Sequence, residues 1–270
     1  MFEAGFIDAP TGRLFYVLHR PARQPVRGAV LFVHPLGEEL NKSRRMVALQ
    51  ARRLAERGLI VLRPDLFGCG DSAGEFAQAR WEQWRADLTY CAAWLRAQAP
   101  VPLVLWGLRT GCLLAAEVLR AGMLTAAAAL WWQPVPTGAV DLDRFLRLRT
   151  VASMMGGQRE TLKDLHEQLA AGQMLEVAGY ALHPELAAQW SRAELNPPPP
   201  VPIVWLEVSM DEQGTLAPAS QRTLAAWCAT GAEIRAAAVA GEPFWFTQEI
   251  REVPALLDAT ETLLSELRLW

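Results

Sequence analysis

The chain has 270 residues, half of them hydrophobic, enough for one large core or two small ones. Its formal net charge of −3, with acids and bases interspersed, argues against a nucleic-acid or anionic-membrane binder. Four dispersed cysteines form no CxxC pair, and no run nears the roughly 20 apolar residues of a spanning helix. Together with a start that lacks a signal-peptide pattern, these features predict reduced thiols, a soluble protein and a cytoplasmic location. Taken in order, residues 2–8 and 13–19 flank the turn Ala9-Pro10-Thr11-Gly12 and predict a hairpin. The continuous apolar run 28–35 predicts a strand buried on both faces. A helix capped by Asn41 or Ser43 follows, with Val47, Ala51, Leu54 and Ala55 at helical spacing and Gly58 as its stop.

The alternation then continues: strand 59–66, helix 81–96, strand 102–108, helix 110–121 and strand 126–135. After an interruption, strand 201–208, helix 218–230, strand 233–239 and a long helix over 247–267 complete the chain. Strictly alternating strands and helices predict an α/β fold, a mostly parallel sheet with helices on both faces. No internal repeat is present. The interruption at 136–200 holds two or three helical segments and ends in Asn196-Pro197-Pro198-Pro199-Pro200, a stiff spacer. The expected organisation is a core of residues 1–135 and 201–270 with a helical lid at 136–200, placed over the carboxyl ends of the strands.

One motif carries chemistry. Trp106-Gly107-Leu108-Arg109-Thr110-Gly111 joins a predicted strand to a predicted helix, as a nucleophile elbow does. Gly107 and Gly111 supply the clearance such a turn needs. The middle position, where a nucleophile would stand, is Arg109, a guanidinium that cannot attack a carbonyl. The acid of a triad is expected after the fifth core strand, where Glu207 and Asp211 qualify. The histidine is expected after the last strand, in Val239-Ala240-Gly241-Glu242-Pro243-Phe244-Trp245, and none is there. Two of three triad roles are therefore vacant, and a serine-type mechanism is not expected.

Along nearly its full length the chain resembles the α/β-hydrolase superfamily. Within that superfamily, the segments His34-Pro35-Leu36-Gly37-Glu38-Glu39-Leu40-Asn41-Lys42-Ser43-Arg44-Arg45-Met46 and Arg144-Phe145-Leu146-Arg147-Leu148-Arg149 resemble the exosortase A system-associated hydrolase 2 family, as does the Gly-Leu-Arg elbow. The resemblance implies a hydrolase fold and a bacterial setting beside exosortase and exopolysaccharide machinery. It implies no particular substrate.

His34 stands where the superfamily places its oxyanion loop, and Leu36-Gly37-Glu38 are expected to line the pocket; His34 itself can equally serve as a loop hydrogen-bonder. Arg109 admits three roles: an internal ion pair with Glu38, Glu39 or Asp211, a clamp for a ligand anion, or charge stabilisation for an attacking water. Glu38 is expected to face Arg109, while Glu39 serves the helix dipole. Of Arg147 and Arg149, two apart on the lid's first helix, one can reach the cleft. Thr110 joins the pocket floor, and Phe244 and Trp245 make its far end apolar. Cys112 and His183 are expected to take no part in chemistry. The histidines show no metal-ligand spacing, and no phosphate or dinucleotide loop is present, so no metal or cofactor is expected.

The expected function is therefore binding, in the former active-site cleft, of a small anionic or acyl-type molecule or of a partner protein. The alternative is an active hydrolase or acyl-transfer enzyme built around Arg109 and Glu38 with a water or substrate-borne nucleophile. A scaffolding role would require a large exposed apolar patch on the lid.

Overall fold

The computed structural model describes residues 2–22, 25–155 and 160–269, with the side chain of Met155 left aside. The opening hairpin comprises β1 (Phe2–Ala9) and β2 (Gly12–His19), paired antiparallel from Phe2 opposite His19 to Ala9 opposite Gly12. Then come β3 (Gly28–Val33), α1 (Glu38–Glu56), β4 (Leu59–Pro64), α2 (Trp81–Gln98), β5 (Leu103–Leu108), α3 (Thr110–Arg120) and β6 (Ala128–Trp132). A stretch between the strands carries α4 (Gly138–Met155), α5 (Leu162–Ala170), β7 (Leu175–Val177), β8 (Tyr180–Leu182) and α6 (Pro184–Arg192). The chain closes with β9 (Ile203–Ser209), α7 (Pro218–Ala229), β10 (Ile234–Ala240) and α8 (Pro254–Glu266).

Eight strands form one sheet in the order β1-β2-β4-β3-β5-β6-β9-β10. From β4 to β10 all neighbours are parallel; the opening hairpin adds two antiparallel strands at one edge. Every residue of β3, β5 and β6 is buried, which is why those segments read as unbroken apolar runs rather than alternating ones. Alternate side chains feed two separate cores. Trp131 joins the one beneath α2 and α3, and Trp132 the one beneath α1 and α8. Winding runs from β3 outward to β4, then reverses through β5 to β6, so the order switches between β3 and β5. At such a point the loops leaving adjacent strands diverge and open a crevice at their carboxyl ends.

Three local expectations are corrected. Helix α1 begins at Glu38, not at Asn41 or Ser43, because Gly37 takes φ 57° and turns the chain into the helix immediately after the loop. Asn41 then lies inside the helix and donates to the Tyr180 hydroxyl, and the Ser43 hydroxyl donates to the Leu40 carbonyl. Helix α8 begins at Pro254 rather than near 247, with proline at the first helical position, where a missing N–H leaves nothing unsatisfied. The stretch 136–200, of which residues 156–159 lie outside the described ones, holds three helices but also a small hairpin, β7–β8. Its turn is made by Ala178 and Gly179, both at positive φ, as a tight hairpin turn requires. Among the described residues, no helix is long and apolar enough to cross a membrane.

Candidate functional site

The crevice at the switch point is built from two turns. After β3, His34 to Gly37 lead into α1; after β5, Arg109 alone bridges strand and helix. Arg109 has φ 55° and ψ −119°, a conformation rarely adopted by residues with a side chain. Its N–H donates to the Trp132 carbonyl (3.0 Å), and its carbonyl accepts from Cys112 N–H (3.0 Å), which fixes the turn from both sides. Gly111 is required by packing. A Cβ there would lie 2.1 Å from the Val33 carbonyl oxygen, so β3 and α3 can approach only with glycine at this position.

The Arg109 side chain is only 6% exposed, and two carboxylates surround it. Its Nε donates to Glu39 Oε2 at 3.2 Å and its Nη2 to Glu39 Oε1 at 3.2 Å, a two-pronged contact. Nη2 also reaches Asp141 Oδ1 at 3.5 Å. The guanidinium carbon stands 5.6 Å from the centroid of the Trp245 ring. Burial works to lower the Arg109 pKa, but the Glu39 and Asp141 charges outweigh it and hold the guanidinium firmly protonated. Asp141 Oδ2 accepts a hydrogen bond from the Thr110 hydroxyl. Burial, with the Glu39 charge adding to it, pushes the Asp141 carboxyl up to about 6 despite Arg109.

Above this cluster lies a cavity of about 70 Å³ between α1, α3, α4, α6 and the turn after β10. Its walls are Leu36, Phe145, Leu148, Trp190, Trp245 and Phe246; Thr110, Glu39 and Asp141 reach its surface, with Glu38, Lys42 and Arg144 also in the lining. Arg144 Nη1 stands 3.7 Å from Asp141 Oδ1, and its side chain is 44% exposed.

The crevice thus brings together Leu36, Glu38, Thr110 and Trp245 from the expected set, with Arg109 directly beneath and Gly37 capping α1. Other expected residues lie elsewhere. The acid that meets Arg109 is Glu39, not Glu38: successive helical residues point about 100° apart, and the inward direction falls to Glu39. Glu38 instead accepts from the Tyr180 hydroxyl at 3.1 Å. Asp211 is exposed and accepts from the Thr215 hydroxyl and the Gln213 N–H. Glu207 is buried and taken up by the Trp205 indole N–H (2.8 Å) and the Ala217 N–H (3.0 Å).

His34 is buried beneath the loop. Its Nδ1 bonds the Pro35 carbonyl at 2.7 Å and its Nε2 accepts from Leu66 N–H at 3.1 Å, so both nitrogens hold backbone. Burial lowers its pKa and keeps the ring neutral. Arg147 is exposed and outside the cavity, whose α4 contribution comes from Arg144, Phe145 and Leu148, while Arg149 pairs with Glu160. Phe244 is fully buried between Trp132 and Trp245 and reaches the cavity only through Trp245. Cys112 is buried with its pKa raised by burial, and His183 caps α6 by accepting from Glu185 N–H. Among the described residues no group of three His, Cys, Asp or Glu side chains is arranged to hold a metal.

Asp141 is the residue that sequence reasoning missed. Its signal was an acid in the first turn of the helix following β6, the strand beside the Arg109 strand, where a carboxylate enters the crevice directly.

No family model matches the chain, and no curated protein matches it either. Solved structures do. The chain is similar to Est1E from Butyrivibrio proteoclasticus with ferulic acid bound, at 15% identity over 98% of this chain and 99% of that one, TM-score 0.70. It is also similar to a thermostable carboxyl esterase from Bacillus coagulans in complex with glycerol, at 15% identity over 98% of each chain, TM-score 0.67. An α/β serine hydrolase without a lid from Xanthomonas campestris aligns at 19% identity over 98% of this chain and 94% of that one, TM-score 0.58. With an eight-stranded, mostly parallel sheet flanked by helices and these neighbours along nearly its whole length, the chain has the α/β-hydrolase fold.

Proposed function

We propose that this chain is a non-hydrolytic user of the α/β-hydrolase fold that binds a small acyl-type ligand, or a partner's side chain, in the crevice above Arg109. The α4–α6 stretch serves as its lid. The bacterial exosortase-associated setting implied by the sequence resemblance belongs to the same proposal. One observation carries it: the strand-to-helix turn that would present a nucleophile presents Arg109, and that side chain is closed onto Glu39 and Asp141. A protonated guanidinium has no lone pair to attack with, and the Nε–Nη2 edge it would offer an oxyanion is already taken by Glu39.

Of the two candidate triad acids, Glu207 is committed to Trp205 and the Ala217 backbone, and Asp211 to the Thr215 hydroxyl and the Gln213 N–H. The turn after β10 supplies Phe244 and Trp245 instead of histidine. An apolar cavity with a few convergent polar groups suits a binding site, and about 70 Å³ limits what fits to a short chain or small head group. An anionic ligand would have to be met by Lys42 and Arg144 at the lining, because Arg109 is engaged.

The test is hydrolysis of a panel of p-nitrophenyl esters and acyl thioesters by the purified protein and by Arg109→Ala. No turnover above buffer in either is expected. Turnover by the native protein that Arg109→Ala loses would replace this reading with a rebuilt catalytic site.

A further inference from the structure

The deep end of the cavity has an uneven charge count. Arg109 brings one positive charge, while Glu39 (18% exposed) and Asp141 (5% exposed) bring two negative ones. The Thr110 hydroxyl, the other polar group at the floor, already donates to Asp141. The Trp190 indole N–H, in the wall beside Asp141 and buried, completes no hydrogen bond. Its nearness favours the Asp141 carboxylate. Lys42 and Arg144 oppose this excess from the lining. Arg144 is 44% exposed and at 3.7 Å too far for a hydrogen bond to Asp141, so solvent screens it more strongly than the buried set. Arriving at this floor, an anion would meet two carboxylates and a guanidinium whose Nε and Nη2 are in use, with the Trp190 N–H left as a free buried donor in the wall. An incoming cation would meet the Asp141 carboxylate and a wall of the aromatic side chains Phe145, Trp190, Trp245 and Phe246.

We propose that the crevice is selective for a cationic head group, a protonated amine on a short apolar chain, seated with its N–H groups on Asp141 and its carbons against the aromatic walls. This rests on the cavity-binding reading above, replaces its acyl-type head group with an amine, and reverses the sign of the ligand that Arg109 suggests from sequence alone. At pH 7.5, above its pKa of about 6, Asp141 is ionised and offers its carboxylate to the ammonium, and no bond is made or broken.

The experiment titrates butylammonium, butanol and butyrate into the full-length protein at pH 7.5, reading the Trp190 and Trp245 indole N–H resonances. Asp141→Asn is titrated alongside. Butylammonium is expected to bind about tenfold more tightly than butanol and butyrate more weakly than either, with the ammonium preference lost in Asp141→Asn. Retained butanol binding by that variant would show that the cavity is intact. If butyrate equals or exceeds butylammonium, or if Asp141→Asn keeps the ammonium preference, the charge inference is overturned while the cavity reading stands. If none of the three probes moves either indole, both are overturned.

Discussion

Arg109, Glu39 and Asp141 are buried charges whose solvation has been replaced by one another, so their energetics are those of a set and not of separate residues. Removing the cation strands two carboxylates out of water. Arg109→Met is expected to lose about 3–5 kcal/mol at pH 8 in denaturant unfolding. At pH 5 the loss should be smaller, because Asp141, whose pKa lies near 6, then carries a proton. Asp141 has the opposite lesson. Its folded pKa, about 6, lies above its ordinary 3.8, so the folded state binds the extra proton between those values. Stability therefore falls as pH rises through that window, by at most roughly 3 kcal/mol. Asp141→Asn removes the titration, and its stability relative to the native protein should improve from pH 4 to pH 7. A gap that stays constant with pH would show that Asp141 does not titrate there. His19 works in the other direction. Burial, with Arg63 and Arg52 adding to it, lowers its pKa to about 4, so its contribution is present above about 6.5 and lost as pH falls toward 4.

At the scale of elements, the crevice depends on close approaches that the helices cannot make with larger side chains. Gly138 starts α4 against α6: a Cβ there would sit 1.7 Å from the Trp190 carbonyl oxygen, a backbone atom that cannot swing aside. Gly138→Ala is expected to cost about 1–3 kcal/mol as an overpacked contact. It should also speed proteolysis within residues 138–192 and weaken probe binding, since Trp190 and Asp141 lie on the two displaced helices. The α1–α8 contact provides the contrast. There Arg53 meets Asp258 and Glu261, and Arg57 meets Glu261 at 2.9 Å, but the arginines are a third or more exposed. Arg53→Ala should cost less than about 1 kcal/mol, and the loss should shrink in high salt. Unfolding measured at low and at 1 M salt separates the two outcomes.

The whole molecule stands on a sheet whose central strands are buried from both sides, and its aromatic residues tie the layers together. Trp132 packs edge-on to Trp106 and Phe244, and its indole N–H donates to the Thr260 hydroxyl of α8 at 2.9 Å. Trp132→Ala is expected to cost about 3–5 kcal/mol and to lower the midpoint of unfolding without dividing it into two transitions. Most of this architecture was legible beforehand. Unbroken runs such as 28–33, 103–108 and 128–132 can be satisfied only between two helical layers, and the helices between them carry their apolar residues at helical spacing. The β7–β8 hairpin was not legible, because two strands of three residues give too short a pattern to separate from loop. Nor was the start of α8, where irregular backbone over 247–253 holds enough apolar residues to mimic a helical stripe.

By itself the sequence determined the fold class and the presence of Arg109 at the turn between β5 and α3. A strand–helix alternation and a motif in consecutive residues are local facts, and arginine cannot serve as a nucleophile in any surroundings. Only the tertiary structure decided what Arg109 does. Its partners come from α1, 70 residues before it, and from α4, 32 residues after it, and neither separation leaves a periodic trace. Which of Glu38 and Glu39 turns inward depends on a rotation of 100° about the α1 axis, set by where Gly37 starts the helix. Because charge balance in a buried site depends on which side chains share it, the sign of the ligand proposed for the crevice could be argued only from the folded chain.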